Sequence, residues 1–182
     1  MLAEQLGIST TSCIAQYLDG VYLRRQPDGR CSFFNAQGCS VHPARPLVCR
    51  LYPLGRSVDA AGAESFRHLM PHPQTQGRYG EQATVQDWIT AQGADALIDA
   101  VDAYLALFYQ LFAVMEQAEG SDRGVHDWPQ QPQAMTLPEL LDMDGALHGA
   151  GVDGSGLTLP QRMSRHMAIL KQRFGLGDAD AA

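Results

Sequence analysis

Leu97, Ile98, Val101, Tyr104, Leu105, Phe108, Leu111, Phe112 and Met115 recur at helical spacing, with Asp95, Asp99 and Asp102 on the opposite side. Such a repeat gives an α-helix one apolar face to bury, so the rest of the chain must supply a surface that covers it. Its acidic side makes it amphipathic, and no stretch is read as the roughly twenty uncharged residues of a membrane span. The expectation is therefore a helical fold with only minor strand content.

Punctuation along the chain supports this reading. Leu2–Leu6 reads as a helix end stopped by Gly7, with no cap or entry turn before it. A single turn of helix bears the nucleation cost and gains little, which implies that Met1 lies inside a longer ancestral domain. Ser9 or Thr10 caps a second helix with Ile14, Tyr17 and Leu18 inward, ended by Asp19-Gly20. VYLRR (21–25) and CSFFN (31–35) flank Pro27-Asp28-Gly29 and predict a β-hairpin. Gln37-Gly38 forms a second turn, and Pro46 opens a short helix that Pro53 closes. Residues 55–63 read as a loop, Thr84 caps another helix, and two more are expected at about 137–148 and 159–174, the latter with Thr158 as cap and Pro160 in its first turn. The fold class that results is mainly α with a small β-hairpin, and an irregular cysteine-rich segment packed on helices. Residues 1–118 form the cysteine-cluster domain, 119–136 a linker or mobile loop, 137–176 a C-terminal helical appendage, and 177–182 a disordered tail.

Twelve arginines and one lysine leave a net charge of −7. That balance does not predict an extended phosphate-binding surface, though it leaves local arginine clusters open, so nucleic acid is not the expected partner. The N-terminus has neither the basic flank nor the apolar run of a secretory leader, so a cytoplasmic location with no membrane contact is expected. In that reducing setting clustered cysteines read as metal ligands or reactive thiols rather than as a disulfide framework.

Three cysteines lie close together in sequence. Seven residues separate Cys31 from Cys39, and nine separate Cys39 from Cys49. Thiolates ligate zinc and iron–sulfur clusters strongly, and a closed site normally takes four donors. Three are at hand, and His42, in a CxxH spacing three positions after Cys39, is the nearest candidate for a fourth; His68 and His72 are weaker ones. Arg45 and Arg50 stand beside the thiols, where guanidinium groups lower a thiol's pKa and offset the charge of a thiolate-bound metal. The alternative reading gives these arginines ordinary ion pairs. Cys13 lies on an apolar helix stripe and is read as a small buried hydrophobe outside the site.

The run DGRCSFFNAQGCSVHPARPLVCRLYPLG resembles the YkgJ-like cysteine-cluster family of zinc- or iron-chelating domains. Its pattern is a cysteine, a second cysteine after a glycine turn, then RPxxCRxxP, which Cys31, Cys39, Arg45, Pro46, Cys49, Arg50 and Pro53 match. The likeness spans roughly residues 1–115. Family members carry a further cysteine cluster N-terminal to the first helix, which this chain lacks. The resemblance implies metal chelation, with zinc or an iron–sulfur cluster as cofactor and a metal ion as partner, and no established reaction. A metal-dependent enzyme of methyltransferase or oxidoreductase type, and a helical protein-interaction module with a degenerate metal site, stand as alternatives. No glycine-rich nucleotide loop supports the enzyme, and no protein partner is indicated.

Overall fold

The computed structural model describes residues 1–72, 82–119, 136 and 140–176, the side chains of 115–119 excepted. The expected linker and the disordered tail fall almost wholly outside these residues, as does the segment 73–81. The chain divides into two compact units, Met1–Ala44 with Gln110–Ala182, and Arg45–Tyr109. Helices dominate both, accompanied by three two-stranded antiparallel sheets.

In the first unit α1 (Leu2–Leu6) ends at Gly7, whose φ of 66° is the left-handed conformation that glycine adopts freely. α2 (Thr10–Tyr17) begins at Ser9, whose side chain accepts a hydrogen bond from the Ser12 amide. β1 (Leu18–Asp19) pairs with β2 (Tyr22–Leu23), and β3 (Phe34–Asn35) with β4 (Gly38–Cys39). The single hairpin expected across Pro27-Asp28-Gly29 shrinks to one bridge, Arg25 to Cys31. Two local choices explain the correction. Gly20, at φ 59°, turns the chain early and commits Leu23 to Leu18. The Cys31 carbonyl is already taken by the Phe34 amide (2.9 Å) and the Gln26 side chain (2.9 Å).

The chain's C-terminal helices, α6 (Met143–Gly149) and α7 (Leu159–Arg173), complete this unit. Thr10 joins them to α2: its amide donates to Asp144 Oδ2 (2.6 Å), its hydroxyl donates to Asp142 Oδ1 (2.8 Å), and that hydroxyl accepts from the Asp144 amide (2.8 Å). Arg162 on α7 pairs with Asp144. Burial opposes ionisation of Asp144, but the Thr10 amide and the Arg162 charge outweigh it and hold the carboxyl below its usual range. Beneath this polar seam lie Cys13, Met143, Leu147, His166 and Leu170, all buried.

The second unit holds α3 (Leu47–Leu51), β5 (Leu54–Val58), β6 (Glu64–His68), α4 (Val85–Ala91) and α5 (Asp95–Glu119) as far as Tyr109. Residues 55–63, read as a loop from their glycine and alanine content, belong instead to the β5–β6 hairpin. Asp59 makes the turn there, its Oδ1 accepting from the amides of Ala61 (2.9 Å) and Ala63 (2.8 Å), and Gly62 supplies positive φ. Leu51, Ile89 and Ala94 form the core, with Leu47, Phe66 and Ile98 against them.

α5 is the helix its spacing predicts. Leu107 and Leu111 are buried, while Leu97, Val101, Leu105 and Phe108 are only half-buried. By length and composition Asp95–Val114 reaches what a membrane crossing requires, which corrects the reading that no segment does. Asp95 and Asp99 face solvent as expected, but Asp102 does not belong to a plain solvated face: its Oδ2 accepts from Arg56 Nη2 at 2.7 Å.

Candidate functional site

None of the four cysteines is in a disulfide, and exposure separates them into two kinds. Cys31, Cys39 and Cys49 are exposed, while Cys13 is 5% exposed and its thiol pKa is pushed up by burial. Burial closes off the Cys13 thiol and disfavours its thiolate, so it serves as a small apolar side chain in the packing.

Cys31 follows the Gln26–Arg30 turn, in which Gly29 donates to the Gln26 carbonyl (2.8 Å) with φ at 84°. Cys39 sits in β4 opposite Phe34. The neighbouring Phe33 is buried and stacks on Tyr17 with ring centroids 4.7 Å apart, anchoring the segment to α2. Val41 and Ala44 are buried as well, and between them His42 lies exposed on a short 3-10 turn. Apolar residues alternate inward and leave Cys31, Cys39 and His42 on the outside.

Cys49 lies in the second unit on α3. Leu47 and Leu51 turn toward the core of that unit, whereas Val48, at 74% exposure, and Cys49 turn outward. The two motif arginines converge on the end of α4. Arg45 Nη2 donates to Gln92 Oε1 (2.7 Å), Arg50 Nη1 donates to the Gln92 carbonyl (2.8 Å), and Arg50 Nε donates to the Arg45 carbonyl (3.3 Å). Cations at a helix C-terminus satisfy its orphan carbonyls and oppose its dipole. Burial, followed by the Arg45 charge, lowers the pKa of Arg50. Trp88 Nε1 donates to the Leu51 carbonyl (2.9 Å), so α3 and α4 are tied from both sides. RPxxCR thus has a structural role in this unit whatever its thiol does.

Among the described residues no three of the histidine, cysteine, aspartate and glutamate side chains gather into a group able to hold a metal ion. His68 ends β6 and His72 donates its amide to the Tyr52 hydroxyl (2.6 Å); both are exposed. Cys31 and Cys39 belong to the first unit and Cys49 to the second.

Two polar clusters had no signal in the sequence. Arg56, 7% exposed, pairs with both Glu64 and Asp102, and the Thr10–Asp142–Asp144–Arg162 seam joins residues more than a hundred positions apart. Comparison with protein families, with curated proteins and with solved structures finds no match to the chain.

Proposed function

We propose that this protein chelates a metal, zinc or an iron–sulfur cluster, through the thiolates of Cys31, Cys39 and Cys49, in a reducing compartment such as the cytoplasm. One observation carries the reading: the three thiols of the motif segment are exposed and unbridged, while the fourth is sealed in apolar surroundings. His42 is the proposed additional ligand. The likeness to the YkgJ-like cluster family agrees with this reading.

Metal binding is coupled to ordering of the ligands, so part of the binding free energy goes into that ordering. Moderate rather than extreme affinity is the consequence. Zinc would supply a structural tie, and an iron–sulfur cluster one-electron chemistry. In either case the chain's own contribution is the thiolates and the arginine-braced helix beside Cys49.

The test is metal analysis of protein purified without oxygen, with visible absorbance separating an iron–sulfur cluster from colourless zinc. About 0.5–1 equivalent of metal per chain is expected, falling severalfold in the variant with Cys31, Cys39 and Cys49 all changed to serine. Metal below about a tenth of an equivalent after anaerobic reconstitution ends the proposal.

A further inference from the structure

α1 and α2 are held to the C-terminal helices more by polar bonds than by burial. Their buried side chains are Ala3 and Cys13, both small, whereas α6 and α7 bury Met143, Leu147, His166 and Leu170. A small side chain falls well short of the stabilisation that burying a leucine gives. Attachment of α2 therefore rests on Thr10, with its bonds to Asp142 and Asp144, and on Thr11, whose hydroxyl donates to Asp142 Oδ1 at 2.9 Å. Elements with few buried apolar contacts are the first to open locally.

Under that seam sits His166, a buried side chain that takes up a proton only if water can reach it. The ionisable groups on the elements that meet there are Glu4 of α1, Cys13 of α2, Asp142, Asp144 and His148 of α6, and Arg162 of α7. The Asp142 charge favours the imidazolium, and burial outweighs it, lowering the pKa. The other end of α2 supports the thiol segment. Tyr17 stacks on Phe33, and its carbonyl accepts from the Arg24 amide (2.8 Å), while Arg24 Nη2 donates to the Ala15 carbonyl (3.1 Å). The Phe33 carbonyl accepts in turn from the Ser40 amide at 2.9 Å.

We propose that α2 is a clasp released by acid: when His166 is protonated, α2 leaves α6 and α7, and the segment Cys31–Ala44 loosens with it while Arg45–Tyr109 keeps its fold. An imidazolium gains water only if a helix of this seam moves, and α2 is more weakly held than α6 or α7. The proton comes from solvent and returns to it as pH rises, so the release is reversible. No metal is needed, and the inference stands apart from the chelation reading.

The experiment is hydrogen exchange of the full reduced chain, read by mass spectrometry at about pH 7 and pH 5 with the chemical effect of pH divided out. Residues 10–17 and 31–44 are expected to exchange about tenfold or more faster at the lower pH, and 54–68 at an unchanged rate. Thr10→Val, which breaks the seam and leaves His166 in place, should give the same pattern already at neutral pH. His166→Leu should lose the acid response, with His166→Gln in its place if the leucine variant does not fold. Faster exchange in all three segments together overturns the clasp. So does opening of 10–17 with 31–44 unmoved, an acid response intact without the histidine, or no response in the native chain.

Discussion

Arg50 donates through Nη1 to the Gln92 carbonyl at 2.8 Å, so a residue of the cysteine motif closes the C-terminus of a helix 42 positions away. Gly93 follows in the left-handed conformation, and a Cβ built there would meet Arg50 Nη1 at 3.7 Å. Arg50→Ala removes this bond and the one to the Arg45 carbonyl. A loss of about 1–3 kcal/mol is expected by denaturant unfolding, because a half-buried charge-assisted bond disappears and the carbonyl is left without its donor. Cys49→Ser, on the outer face of the same helix, is expected to cost less than about 0.5 kcal/mol. Equal losses for the two variants would contradict this division of labour.

Arg56 is the second anchor. Its pKa is raised by the hydrogen bond to Asp102, against burial, and further by Glu64. Asp102→Asn leaves a buried guanidinium with a single carboxylate, and about 1–3 kcal/mol of stability should go. Both carboxylates are about 40% exposed, so the loss should shrink in high salt. A double-mutant cycle between Arg56 and Asp102 reads the coupling directly.

His166 sets an acid limit. It is 1% exposed, and burial pushes its pKa down from 6.5 to about 4 against the pull of the Asp142 carboxylate. Between those values the unfolded chain binds a proton that the folded one refuses, so stability is full above about pH 6.5 and falls as pH drops toward 4. The gap corresponds to roughly 3 kcal/mol. Urea midpoints from pH 7.5 to 4.5 should fall in the native chain and much less in His166→Leu; parallel curves would refute the assignment. Asp144, held low, adds its own loss only below its unfolded value of 3.8, as its Arg162 and Thr10 partners lose the charge they bind.

Thiol reactivity offers a further check. A disulfide reagent added to the reduced, metal-free chain should consume three thiols rapidly and the fourth only as the protein unfolds. The slow phase should vanish in Cys13→Ala. Four thiols reacting at one rate would mean that Cys13 is not sealed.

The helices were legible because their signals are local. Ser9, Thr84 and Thr158 sit where caps are expected, and Gly7 stops α1, each acting within a few residues of itself. The strands were less so. VYLRR and CSFFN were expected to pair as one small hairpin, yet Gly20 and the Gln26 side chain took up backbone groups at either end of it, and such competition between neighbouring turns is invisible to pattern. At the candidate site exposure was legible in part: Cys13 was separated from the other three by its helix stripe alone. The task of Arg45 and Arg50 was not, because Gln92 lies far off in sequence and carries no mark of being their acceptor.

Thr10 and Asp142 lie 132 positions apart and meet in a single hydrogen bond. During synthesis the segment Arg45–Tyr109 leaves the ribosome complete, whereas α2 has to wait for its partner Asp142, 132 positions further on. Arg45–Tyr109 can therefore be finished before α2 is covered, and a stalled ribosome would leave the apolar side of α2, with Cys13, open to chaperones and oxidants.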